Sequence, residues 1–282
     1  MKRLVQCLRF DMLAGHRFLL ASGLLGCLMA AFFLTGSWVR ASAYHVEWSS
    51  FTLGDNALLL LGGTLPPAAS DQTPTLFPIG WLLLLASPMA IPVLYAGRSS
   101  RGSFAANAII RGGARAPWLI AKCLWSIIAS LVFWLAFFTV LSGLTLCASG
   151  DLSSLASGSI EAIGLARNDD LTEGPYTLGA FLLIAPVVST LLLVPLVLLS
   201  ILVNELLAFL VGIGCLLASV MSITGLVPGE YLMATRTNSF LAHGIAPVQA
   251  LAYSLTLSIV SLLIGMIVFR SKNFMGRSET HD

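Results

Sequence analysis

The sequence predicts an all-α integral membrane protein: a bundle of six transmembrane helices preceded by an N-terminal amphipathic interfacial helix. Three observations predict it. Hydrophobic residues fill 57% of the 282 positions and charged residues only 10%, where a soluble domain carries roughly 25% charge. Six stretches are apolar over the ~20 residues that a helix needs to cross a hydrocarbon core of about 30 Å. The basic residues also collect on one side of those stretches.

Taken in order, residues 1–17 place Leu4, Val5, Leu8 and Met12 on one helical face, with Lys2, Arg3, Gln6, Arg9 and His16 supplying polar positions. That pattern predicts a helix lying along the inner membrane surface. The first span covers about 18–39. Its basic lead and the following Ala41-Ser42-Ala43 have the look of a signal peptide, but the apolar run exceeds the 7–15 residues of such a segment. A retained anchor is therefore expected. The second span, 77–96, carries Pro78, Pro88 and Pro92; the last two are one turn apart and are expected to bend it. The third span, 118–147, is long enough to tilt. The fourth, fifth and sixth cover 178–199, 206–226 and 246–269. Between the first two spans, 51–61 is apolar but too short to cross, so it is expected at the interface or packed on the bundle. The loops 148–177 and 227–245 are too small for separate domains, which leaves one transmembrane domain over 1–282.

Orientation follows from the arginines and lysines. With the N-terminus inside, the inner side holds Lys2, Arg3, Arg9, Arg17, Arg98, Arg101, Arg111, Arg115, Lys122, Arg270, Lys272 and Arg277. The outer side holds Arg40, Arg167 and Arg236. Positively charged residues favour the cytoplasmic side, so both termini are expected there, in a multi-pass protein of the cell membrane.

Several chemistries lack their residues. A phosphate-binding P-loop needs a lysine directly after glycine, and the lysines Lys2, Lys122 and Lys272 do not follow one. His16, His45, His243 and His281 are too scattered for a zinc-protease motif. Ser22, Ser142, Ser189 and Ser258 lie in spans without a histidine or lysine at their depth, and such serines ordinarily bond back to the preceding turn. The five cysteines Cys7, Cys27, Cys123, Cys147 and Cys215 have no metal-site spacing. Ion coupling usually leaves a charge in the bilayer; the nearest candidate, Glu205, stands where a carboxylate favours a helix N-terminus. Any ATP-driven work is therefore expected to draw on another chain.

The inner loop 98–117 is the most distinctive segment. Arg98 and Arg101 form one basic pair, followed by Phe104. Arg111 and Arg115 flank Gly112-Gly113, and Pro117 opens the third span ahead of Trp118 and Lys122. Topology alone would collect arginine there. The run Arg111, Gly112, Arg115, Trp118, Lys122 nevertheless resembles the segment that enters the third span in type-2 ATP-binding-cassette (ABC) exporter permeases. The six-span layout and interfacial first helix are similar as well.

The resemblance implies a permease that exports a peptide, antibiotic or lipid. It implies that Arg98, Arg101, Phe104, Arg111, Gly112, Gly113, Arg115, Trp118 and Lys122 form a coupling surface for a separate ATPase. It also implies a second permease copy or a related permease. ATP and magnesium would be held by the ATPase, with no cofactor in this chain, no nucleic-acid partner, and membrane lipids around it. Alternatives are a self-protection permease against a membrane-active peptide, an intramembrane enzyme, and a non-transport sensor or anchor subunit.

Overall fold

The computed structural model describes residues 2–43, 51–64, 77–100, 115–148, 179–222, 225–241 and 243–271, together with 45, 47, 49, 150, 152, 156–157 and 176–177. The fold is helical: α1 (Lys2–Ala14), α2 (His16–Ala43), α3 (Leu53–Leu61), α4 (Ile79–Ser99), α5 (Arg115–Cys147), α6 (Gly179–Leu202), α7 (Glu205–Met221) and α8 (Pro247–Ser271). A two-residue antiparallel ladder pairs Ala156 with Thr177 and Ser157 with Tyr176. Two 3-10 turns, Pro228–Leu232 and Ala234–Arg236, lie between α7 and α8.

Five helices, α2, α4, α5, α6 and α8, are long and apolar enough to cross a bilayer. The stretch expected as the fifth span is shorter than anticipated, because α7 ends at Met221 after 17 residues. Its apolar character continues to Leu226, but Ser222 is extended and Gly225 takes a positive φ of 66°. The last carbonyls of a helix need outside donors. Here Arg236 supplies them, through Nη2 to the Val220 carbonyl at 3.0 Å and Nη1 to that of Ser222 at 2.5 Å. Its Nε donates to the Thr64 carbonyl at 3.1 Å, so a residue counted above as an outward loop charge is a buried clasp.

The helices share two common ends. At one, a Cβ on Gly97 of α4 would sit 2.7 Å from Glu205 of α7, and Trp118 of α5 stacks on Phe269 of α8 with centroids 5.5 Å apart. At the other, Trp81 of α4 donates to the Leu232 carbonyl at 3.0 Å, and Asn56 of α3 donates to Thr145 of α5 at 3.1 Å. The short apolar segment thus packs on the bundle as α3, started by a capping box between Thr52 and Asp55.

The core lies among α4, α5, α6 and α7, where Trp81, Leu85, Trp134, Phe137 and Val197 are buried. α2 and α8 flank it and expose Leu20, Leu24, Leu28 and Phe32 on one side and Ile259, Leu263, Ile264 and Ile267 on the other. Water would not tolerate apolar faces of that extent; hydrocarbon does.

Helix–helix contacts use polar groups in pairs. Ser22 donates across to the Ala129 carbonyl at 2.8 Å, and Trp134 Nε1 donates to Ser189 at 2.8 Å. Pro195 lacks the N–H that would reach the Leu191 carbonyl. Ser258 of α8 donates to that carbonyl at 2.6 Å, restoring a backbone partner that lipid would not supply. α6 therefore runs unbroken through Pro186 and Pro195, as α4 does through Pro88 and Pro92.

Candidate functional site: a buried ion pair between the first helix and the basic loop

The inward stripe of α1 is Leu4, Cys7, Leu8, Asp11 and Met12, followed by buried Gly15. These positions recur at three and four residues, the spacing of one helical face. Val5, expected on this face, is exposed instead; at 100° per residue it lies well away from Leu4, Asp11 and Gly15. The stripe packs Leu8 and Met12 against Tyr95, Trp125 and Ala129. Gly15 is needed there, since a Cβ on it would sit 2.7 Å from the Trp125 ring.

Asp11 stands in the middle of that contact and is 1% exposed. Its Oδ1 accepts from Lys122 Nζ at 2.5 Å and from the Tyr95 hydroxyl at 3.0 Å. Lys122 has no exposed surface. Its ammonium lies 4.6 Å from the centre of the Tyr95 ring and 5.3 Å from that of Trp118, within the range of cation–π attraction. The Tyr95 and Trp125 rings lie 3.9 Å apart. Asp11 Oδ2 and Trp125 Nε1 have no hydrogen-bond partner among the described residues. A buried charge is tolerated only when paired, and here each charge is the other's partner.

One ion pair therefore joins three elements. α1 gives Asp11, α4 gives Tyr95 one turn before its end, and α5 gives Lys122 two turns after its start. α4 and α5 are the two helices that flank the basic loop. α8 is tied to the same place, because Arg115 Nη1 donates to the Phe269 carbonyl at 3.4 Å in its last turn.

The residues expected at the coupling surface are distributed unevenly. Arg98 is exposed at the end of α4 and Arg115 is half-buried on α8. Trp118 and Lys122 lie one and two turns inside α5, on the stripe that continues through Trp125 and Ala129, and both are buried within this chain. Arg101, Phe104, Arg111, Gly112 and Gly113 lie outside the described residues.

Asp11, Tyr95 and Trp125 were not among the expected site residues. A signal for them was present: a lone acid on the apolar stripe of a basic helix, and a lone lysine inside an apolar run. Glu205 is the first residue of α7, behind an Asn204 cap that accepts from the Leu206 N–H at 2.8 Å.

Burial first, and then the Asp11 carboxylate, push the Cys7 thiol above its ordinary range. Less thiolate at neutral pH means slower attack. Maleimide is expected to label Cys7 several-fold more slowly than free cysteine, and at the free rate once the chain is unfolded in dodecyl sulfate. Equal rates before and after unfolding would contradict the docked position of α1.

Comparison of the chain with protein-family models, with curated proteins and with solved structures finds no match.

Proposed function

We propose that this chain is the membrane-spanning permease subunit of an ATP-driven exporter of the ABC type, with ATP hydrolysed by a separate subunit. On this reading α2, α4, α5, α6, α7 and α8 are the six crossings, both termini are cytoplasmic, and α1 lies at the inner interface. Although α7 is only about 25 Å long, it begins beside Gly97 and ends at Arg236, the same two ends that its neighbours reach.

The observation that carries the reading is the Asp11–Lys122–Tyr95 junction. It ties the interfacial helix to both helices that flank the basic loop, so a push on the loop would move α1, α4 and α5 together. Contact with the ATPase then rests on the loop itself, with Arg98, Arg101, Phe104, Arg111, Gly112 and Gly113 as its candidates; Lys122 would act behind it. An interior of apolar and small hydroxyl side chains suits an amphipathic or hydrophobic cargo. A self-protection permease is a special case of the same machine.

A tagged chain purified at native expression should bring an ATPase with it. An Arg98→Glu/Arg111→Glu variant, chosen because Arg115 holds α8, should lose at least nine-tenths of that ATPase activity while eluting as the same folded species. A folded chain without an ATPase would overturn the proposal.

One observation favours a second reading. A buried ion pair in a membrane bundle is a candidate for ion coupling. Cargo uptake into vesicles that hold the chain alone separates the two: a proton-gradient-driven flux would select the carrier, and flux that needs the ATPase and ATP would select the exporter.

A further inference from the structure

We propose that the outer face of α1 is a docking surface for anionic phospholipid headgroups of the bilayer in which the bundle sits. The inference deepens the reading of α1 as an interfacial helix and rests on that membrane reading, not on the transport one.

The argument begins with charge. α1 carries Lys2, Arg3 and Arg9 and a single acid, Asp11. Asp11 is turned inward and matched by Lys122 of α5, so the surface that α1 presents outward keeps only positive charge. Lys2, Arg3 and Arg9 are all exposed, and His16 and Arg17 continue the exposed basic surface into α2. Two of these cations, Lys2 and Arg3, occupy the first turn, where no acid is present. The helix dipole disfavours positive charge there, an effect that nearby negative charge offsets.

Apolar side chains share the same face. Val5 is 62% exposed, Leu13 68% and Phe10 46%. Basic and apolar residues interleaved on one face suit neither water nor hydrocarbon alone. They suit the boundary between the two, where the apolar groups enter the acyl region and the lysine and arginine stems reach up to phosphate.

The position of α1 agrees with that boundary. Its inner face meets Tyr95 and Lys122, one and two helical turns from the adjoining ends of α4 and α5, and Gly15 alone separates it from α2. α1 is thus held at the level where the apolar helices end. A surface that is basic, partly apolar and held at that depth complements anionic headgroups, which attract polybasic segments over about a Debye length.

The test uses the full chain in detergent micelles doped with equal amounts of phosphatidylcholine and phosphatidylglycerol, with retained lipid counted by native mass spectrometry. Phosphatidylglycerol is expected to be retained at least threefold over phosphatidylcholine. A Lys2→Gln/Arg9→Gln variant should lose most of that preference while keeping the unfolding temperature of the parent, since both side chains are exposed.

Equal retention of the two lipids overturns the proposal. So does a preference that the variant keeps. So does protection of Val5 and Leu13 by a co-purified protein without retained lipid, which would assign the face to an acidic protein surface. The measurement involves neither ATP nor cargo, so its failure leaves the exporter proposal standing, and failure of that proposal leaves this one standing.

Discussion

Replacing Lys122 by methionine destabilises the protein by about 3–5 kcal/mol, the cost of leaving one member of a buried pair without its partner. Asp11 would keep the Tyr95 hydroxyl on Oδ1, but one neutral donor does not replace an ammonium at a site that is 1% exposed. Asp11→Asn removes the counter-charge of Lys122, whose ammonium stays beside the rings of Tyr95 and Trp118. The double variant Asp11→Asn/Lys122→Met behaves differently. It removes both charges, keeps an amide oxygen for Tyr95, and is expected to recover more than half of either single loss. Unfolding in mixed micelles, followed by the loss of α1 protection against proteolysis, measures all four proteins. If the double variant loses the sum of the two single losses, the side chains act independently and the junction does not hold α1 through its charges. If exporter function also depends on the junction, the double variant is stable yet uncoupled: it keeps its ATPase partner and loses cargo movement.

The sequence announces most of the helices and little of what joins them, for a physical reason. An apolar stretch reports its own solvent, so α2, α4, α5, α6 and α8 lie within a few residues of the expected spans. The end of α7 is marked locally by Gly225 and Pro228, but the arginine that folds back onto it from further along the chain, Arg236, is marked by no local pattern. Lys122 was legible as a charge but not as a buried one, because counting arginines and lysines by side assigns it to the adjacent basic loop. Asp11 has the same difficulty in reverse, since its partner is 111 positions away. Serines in the spans were expected to bond within their own helices. Ser189 does so, to the Pro186 carbonyl. Ser258 meets both its own Ser254 carbonyl and the Leu191 carbonyl of α6, whereas Ser22 reaches a neighbouring backbone, and the packing of the helices adds the second kind of partner. The basic loop itself is distinctive in sequence. The structure describes its two flanks, and those flanks meet at Asp11.

The second large effect is expected at Gly26. α2 and α5 make their closest approach along Ser22, Gly26 and Ala30, three small residues at intervals of four, which bring two backbones together inside a bilayer. Ser22 donates to the Ala129 carbonyl at 2.8 Å, and one turn further a Cβ added to Gly26 would lie 2.4 Å from the Phe133 carbonyl oxygen. That neighbour is backbone and cannot swing aside. Gly26→Ala is therefore expected to cost about 1–3 kcal/mol as overpacking, and Gly26→Leu more, with α2 forced away from α5 and the Ser22 bond broken. Gly36 is the control on the same helix, since nothing lies within 4 Å of a Cβ placed there. Gly36→Ala is expected to stabilise the protein by up to about 1 kcal/mol, the helix-propensity difference between the two residues. Thermal unfolding of the three variants in one detergent distinguishes packing from propensity by sign. Loss at Gly26 with gain at Gly36 follows from the contact, whereas gains at both would mean that α2 does not lie against α5. Because Gly15 and α1 lead directly into α2, a displaced α2 should also loosen the Asp11–Lys122 junction. Gly26→Leu is thus expected to speed maleimide labelling of Cys7, which precedes the first residue of α2, His16, although the substitution is made in the middle of that helix.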